Sequence, residues 1–388
     1  MDPRSVYLDH SATTPLDAAV FEEMTPFLKG EYGNPNSLHA WGRRARKAVG
    51  EARERVASLL GASPGEIVFT GGGSEADNLA LKGAAFSMQE KGKHIITTSV
   101  EHHAVLDACK WLGTRGFDVT FLPVDSNGMV SVDDVSAVMR KDTILVSVMH
   151  ANNEVGTIQP VEEIGALCRE RGVMFHIDGV QTAGHIPVDM AAVNADLFTM
   201  SAHKMYGPKG VGALFVRKGV KIDPLVHGGG QEMGLRSGTE NTAGIVGFGA
   251  AAALAVKRLE IGEHLAEIAL RDRLINGVLE IEDTELTGHA VNRLPFHASF
   301  LIDFIEGESI LLRLDAAGIG ASSGSACTSG DLEVSYVLLA MGIPHERAHG
   351  SLRLTLGKDT SEADIDYVVE TLPAVVESLR ALSPLGRK

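Results

Sequence analysis

The sequence predicts an α/β fold: a large domain on a mostly parallel, mixed sheet sandwiched by helices, followed by a smaller C-terminal α/β domain. Three observations carry this prediction. Short apolar, β-branched runs alternate with amphipathic stretches from about residue 60 to 216, the signature of βαβ units and a sheet covered on both faces. After about residue 240 the texture changes to long helical stretches and a second, shorter α/β section. Finally, 388 residues suit two domains at roughly 100–200 residues each.

The expected strands of the large domain are Ile67–Phe69, His94–Ser99, Val119–Val124, Thr143–His150, Met174–Asp178 and Leu197–Met200. Helices are expected at Glu75–Phe86, His103–Leu112, Val132–Arg140 and Val161–Arg171. Two further helices, Ala243–Leu259 and His264–Leu279, lead into strands near His297–Asp303 and Ser351–Leu356 with a helix at Ser309–Ala317. The last helical stretch, Ser361 to Leu382, is expected to break or kink at Pro373, where a backbone donor is lost. The two parts join near residue 262.

Composition removes several function classes. Lys plus Arg is 35 against 50 Asp plus Glu, a net charge of −15, so a nucleic-acid binder relying on cationic contacts is disfavoured. Cys109, Cys168 and Cys327 form no CxxC pair, which excludes zinc-ribbon and thioredoxin-like motifs. An odd cysteine count without a cationic-apolar leader points to a reducing cytoplasm. The longest apolar run, Ile245 to Val256, falls short of the roughly 20 residues of a membrane span and reads as a tightly packed buried helix.

Ligands of open α/β sheets bind at the carboxyl ends of the strands, and here those ends carry chemistry. Ile67-Val68-Phe69-Thr70 runs into Gly71-Gly72-Gly73-Ser74 and a helix, which makes an anion cup from backbone amides and the helix dipole; a tight turn with Ser74 as helix cap accounts for it equally well. The motif lacks the Walker lysine and GxGxxG spacing. Asp178 closes a hydrophobic strand and needs a partner, either the next helix or a cationic ligand atom such as a pyridinium nitrogen. Lys204 follows the next strand in Met200-Ser201-Ala202-His203-Lys204; a desolvated lysine supplies the neutral amine of a Schiff base, whereas a snorkelling one reaches solvent. Phosphate cup, strand-end acid and strand-end lysine together fit a pyridoxal phosphate site better than a nucleotide site.

On these residues the sequence resembles a known group. Asp178-Gly179-Val180-Gln181, Ser201-Ala202-His203-Lys204 with Tyr206-Gly207-Pro208-Lys209-Gly210, Arg236-Ser237-Gly238-Thr239, and Ser322-Ser323-Gly324-Ser325-Ala326-Cys327-Thr328-Ser329 look like the NifS/IscS-type (group I) cysteine desulfurases among the fold-type I pyridoxal phosphate enzymes. The likeness runs from Leu8-Asp9-His10-Ser11-Ala12-Thr13-Thr14-Pro15 to Leu382-Ser383-Pro384-Leu385. It implies an aspartate-aminotransferase-like architecture, with residues 16–262 as the cofactor-binding domain and 1–15 plus 263–388 as the small domain carrying the Cys loop. It implies Lys204 as the Schiff-base lysine and proton carrier, Asp178 on the pyridine nitrogen, Gln181 and Asn153 on the phenolic-oxygen side, and His102 stacked on the ring as acid–base. Gly73, Ser74, Ser201 and His203 would hold the phosphate, joined by Thr239 from the neighbouring subunit of a homodimer. Arg353, with Asn153, would bind the substrate carboxylate.

Cys327 lies in a Gly/Ser/Thr run, Ser322 to Gly330, whose composition suggests an exposed, mobile loop. Cys109 and Cys168 sit in amphipathic helices and read as packing residues. The implied reaction takes sulfur from L-cysteine, releasing L-alanine and leaving a persulfide on Cys327 for an acceptor such as an iron–sulfur scaffold, or for tRNA thiolation. No resident metal site is implied, although Cys327 could ligate an iron–sulfur cluster. Neither nucleic acid nor membrane is an expected direct partner. The alternatives are a selenocysteine lyase, a related lyase or aminotransferase, and a sulfur-relay scaffold without turnover. Two departures stand out: Gly179, where many relatives carry Ala, is expected to leave slightly looser packing near the ring, and His10 replaces a Tyr of some relatives.

Overall fold

The computed structural model describes residues 4–324 and 334–383. The strands are β1 (Val6–Tyr7), β2 (Ile67–Thr70), β3 (His94–Thr98), β4 (Asp118–Leu122), β5 (Thr143–Met149), β6 (Met174–Asp178), β7 (Leu197–Ser201), β8 (Gly212–Val216), β9 (Thr284–Leu286), β10 (His297–Ile302), β11 (Ile319–Gly320) and β12 (Ser351–Thr355). The α-helices are α1 (Ala18–Lys29), α2 (Ala40–Leu59), α3 (Gly73–Met88), α4 (His103–Gly113), α5 (Val132–Val138), α6 (Val161–Arg171), α7 (Thr242–Glu260), α8 (Glu263–Leu279), α9 (Gly307–Ala316), α10 (Tyr336–Ala340), α11 (His345–Ala348) and α12 (Glu362–Arg380).

Seven strands form the main sheet in the order β2-β8-β7-β6-β5-β3-β4. All pairings are parallel except those of β8, which is antiparallel to both β2 and β7. Side chains alternate between its faces as a pleat requires. Val68, Ile95, Leu145, Leu197 and Leu214 pack with α3 and α4. Phe69, Ile96, Val146, Phe175, Ile177, Phe198 and Phe215 pack with α2, α6 and α7 on the opposite face. A second core gathers α8, α9 and α12 around the antiparallel sheet β12-β10-β9.

Helix α7, long and apolar enough to cross a membrane by length and composition, is a core helix here. A Cβ on Gly249 would lie 2.5 Å from Ala52 Cα, and one on Gly247 2.5 Å from Met24 Sδ, so glycine permits the close approach of α2 and α1. The expected break at Pro373 does not occur: α12 runs unbroken through it. Buried Ile365, Val368, Leu372 and Val376 hold the helix on both sides of the proline, and that tertiary burial outweighs one lost hydrogen bond. The stretch expected to reach Arg140 ends instead at Val138; Arg140 turns to pair with Asp118 at 2.6 Å and Asp142 at 3.1 Å.

Candidate active site

The parallel strands deliver their C-terminal loops to one cavity of about 300 Å³. Its lining contains Gly73, Ser74, His102, Asn153, Asp178, Gln181, Ser201, His203, Lys204 and Arg353, which are all the expected site residues except Thr239 and Cys327. Cys327 lies outside the described residues. Thr239 is exposed and does not line the cavity of its own chain.

One end suits a phosphate. Gly72 turns with φ 155° and ψ 178°, a conformation available essentially to glycine alone, and aims the start of α3 into the cavity. Ser74 is not the helix cap, contrary to one reading of the sequence: the N-cap is Gly72 and contributes no side-chain bond, so first-turn amides lack intrahelical acceptors. A Cβ on Gly73 would lie 2.9 Å from Val180 Cγ2 and 3.4 Å from Ser201 Cβ; the glycine leaves this cradle open. The His203 imidazole is pushed down to about 4 by burial, with Lys204 and Lys209 adding to the effect. Its Nδ1 lies 3.1 Å from Thr13 Oγ1.

The opposite wall suits a pyridine ring. Asp178 is the last residue of β6, and its carboxylate accepts from the Val180 amide at 3.0 Å. Burial raises its pKa, while His102, the Val180 amide and Lys204 oppose that rise. His102 both caps α4 and lines the cavity. Its Nδ1 accepts from the Ala104 amide at 3.1 Å as the N-cap of α4, which leaves the proton of the neutral ring on Nε2. Burial keeps this imidazole below its ordinary pKa, with Lys204 adding to the effect against the pull of Asp178.

Lys204 does not snorkel away. It closes the 3₁₀ turn after β7, and its Nζ donates to the carbonyls of Ser11 (2.5 Å) and Ala12 (2.8 Å). Gln181 Nε2 donates to the same Ser11 carbonyl at 3.1 Å. The Asx turn falls to Asn152, whose Oδ1 accepts from the amides of Glu154 and Val155, while Asn153 Oδ1 is buried with no partner among the described residues. Arg353 is 4% exposed, so it is no surface residue; Nη1 donates to the Asn153 carbonyl at 2.9 Å and Nη2 pairs with Asp9 at 2.8 Å. A glycine cradle, a buried acid, an unsatisfied amide oxygen and a lysine around one cavity of this size fit pyridoxal phosphate.

Reading the sequence missed Asp77 and Asp9. Asp77 lines the cavity, is 1% exposed, and sits 3.6 Å from His176 Nε2; burial first, and then Asp178, drives its pKa well up. An acid three residues after Ser74, inside an otherwise Ala/Leu-rich helix, was the available signal. Gly179 corrects the expectation of looser packing. A Cβ there would fall 1.9, 2.3 and 2.5 Å from three Phe198 ring carbons, because Phe198 already fills the space an alanine methyl would take.

Comparison with known proteins agrees with this geometry. The profile of the family described as Aminotransferase class-V matches residues 6–368. A protein of Dictyoglomus turgidum named cysteine desulfurase IscS is 52% identical over 383 residues, covering 98% of this chain and 97% of that one. A solved NifS-like protein superposes with a TM-score of 0.91 at 40% identity, covering 97% of this chain and all of the other. A structure of SspA in complex with cysteine gives 0.81 at 36% identity, with 91% and 99% covered. The cavity, its lysine and its acid thus sit in a chain that belongs to the class-V aminotransferase family and, within it, to the IscS/NifS-type cysteine desulfurases.

Proposed function

We propose that this chain is a pyridoxal phosphate-dependent cysteine desulfurase that converts L-cysteine to L-alanine and passes the sulfur, through a persulfide on Cys327, to an acceptor in iron–sulfur cluster assembly or tRNA thiolation. The observation that carries this reading is the convergence of Lys204, Asp178, the Gly73 cradle and Arg353 on one cavity. When bound, pyridoxal phosphate supplies an aldehyde for the substrate amine and a ring that accepts electrons from the α-carbon. Asp178 would hold a proton at the ring nitrogen, and Lys204 Nζ would take the substrate's α-proton. Neutral His102, its Nδ1 held by the Ala104 amide, would lie against the ring with its Nε2 proton free for acid–base work. Arg353 takes the substrate carboxylate, as a planar fork does best. The Cys327 thiolate then bonds to the substrate sulfur. The carbon–sulfur bond breaks, its electron pair stays on carbon, and the protonated remainder leaves as alanine.

The other two thiols make poor carriers. Cys109 and Cys168 are buried, and burial pushes each thiol up to about 12, whereas the thiolate is the nucleophile. Described residues on either side of the Cys327 segment meet at Glu154, the neighbour in sequence of the cavity residue Asn153: Ser335 Oγ donates to its carboxylate, and the Gly324 backbone packs on the same group. These unpaired thiols also support a reducing, cytoplasmic setting.

The chain is read as a homodimer. Tyr32 and Leu38 are 78% and 83% exposed, beside exposed Phe21, Leu28 and Trp41. Asn36 bonds Glu240 at 3.3 Å, so this apolar segment adjoins Thr239, consistent with one edge both dimerising and lending Thr239 to a second copy. The test of the whole reading is incubation with L-cysteine, followed by mass spectrometry of alanine and of the Cys327 peptide. The wild type yields alanine and a 32-Da adduct (one sulfur atom), and Cys327→Ser retains the yellow cofactor without protein-bound sulfur. An adduct persisting in that variant refutes the carrier assignment.

A further inference from the structure

The guanidinium of Arg353 is nearly fully buried and cannot stand without a counter-charge. Its edges are unequally engaged. Nη1 is fixed to the Asn153 carbonyl, which His297 Nε2 also holds at 3.1 Å. Nη2 meets a single oxygen of Asp9 at 2.8 Å, and Nε is buried with no partner among the described residues. Asp9 is the more exposed member of the pair. Its side chain is 22% exposed against 4% for Arg353, so it can return to water while the arginine cannot. The backbone of Asp9 is pinned: its carbonyl accepts from the Ala12 amide at 3.1 Å and from the Tyr7 hydroxyl at 3.1 Å. Rotation of its side chain is therefore enough to vacate Nη2.

We propose that Asp9 is a resident stand-in for the substrate's carboxylate: it neutralises Arg353 until the α-carboxylate of an incoming amino acid displaces it into solvent. The proposal deepens the reading of Arg353 given above and rests on it. Exchange favours the ligand because a free carboxylate can engage Nε and Nη2 together, and a bidentate pair is stronger than the single bond Asp9 makes. Charge is conserved at the buried guanidinium throughout. The exchange also makes the site selective, because a ligand without a carboxylate cannot release Asp9. The same short stretch serves the other end of the substrate, since the Ser11 and Ala12 carbonyls hold Lys204 Nζ.

Two fragments of cysteine separate the contributions: 3-mercaptopropionate, which keeps thiol and carboxylate, and 2-aminoethanethiol, which keeps thiol and amine. Calorimetry with the holoenzyme is expected to show Asp9→Asn binding 3-mercaptopropionate about tenfold more tightly than wild type, the order of one charge-assisted hydrogen bond. Binding of 2-aminoethanethiol should stay within about twofold. Asp9→Ala, which removes the carboxylate without leaving an amide, should show the same tightening. Weaker 3-mercaptopropionate binding in both variants would make Asp9 a brace for Arg353 and overturn the proposal, as would no change. Arg353→Ala tells the two levels apart. If it binds 3-mercaptopropionate like wild type, the carboxylate role of Arg353 itself fails; if it loses binding while the Asp9 variants do not tighten, only the exchange fails.

Discussion

Gly179→Ala is the most exacting test of how the sheet supports the site. The new methyl would stand 1.9 Å from a Phe198 ring carbon, so that carbon must retreat to the ordinary contact distance of at least 3.4 Å. Phe198 is fully buried in β7 and meets His150 edge-on with centroids 6.4 Å apart, so the ring has little room to yield. Forcing a methyl into a packed core costs typically 1–3 kcal/mol, and an overlap with three ring atoms belongs near the upper end, about 3 kcal/mol. Part of the strain should fall on residues 178–181, which carry Asp178 and Gln181, so cofactor affinity should drop together with stability. The assay is urea unfolding of the apoprotein with a cofactor titration, for Gly179→Ala, Phe198→Leu and the double variant. The smaller side chain should relieve the methyl and give a favourable coupling of about 2 kcal/mol. A Gly179→Ala protein as stable as wild type, or additive variants, would refute the reasoning.

Lys204→Ala is expected to abolish alanine formation, since no other lysine lines the cavity among the described residues; multiple turnovers by this variant would contradict the assignment. Replacing Cys109 and Cys168 together by Ala should leave sulfur loading per protein unchanged, as their buried thiols titrate at about 12; a halved load would implicate one of them. Glu101 predicts a pH effect. Burial pushes its carboxyl up from 4.5 to about 8, so the folded chain keeps a proton that the unfolded chain has lost. Between those values its contribution to stability falls as pH rises. Glu101→Gln should reduce the loss of apoprotein stability between pH 6 and 8; an unchanged slope refutes a protonated Glu101.

The alternation of strand and helix was legible because period-2 and period-3.6 patterns are local. The expected limits of Val161–Arg171 and Met174–Asp178 coincide with α6 and β6. The site was legible for the same reason. A parallel sheet sends its strand ends to one edge, so Gly73, Asn153, Asp178 and Lys204 could be placed together without any knowledge of contacts. Strand β8 escaped because nothing in Gly212–Val216 announces its antiparallel pairing. The continuity of α12 through Pro373 depends on a packed face supplied from elsewhere in the chain.

By itself, then, the sequence determined the chemistry on offer: which amine, which acid and which glycines stand at the ends of which strands. Only the tertiary structure decided how these groups are tuned, because tuning depends on neighbours distant in sequence. Asp9 reaches Arg353 across 344 positions, burial and Asp178 push the Asp77 carboxyl well above its usual range, and Gly179 is required by a phenyl ring on the next strand. Burial and charge act through space, and their strength is set by distances that no local pattern encodes.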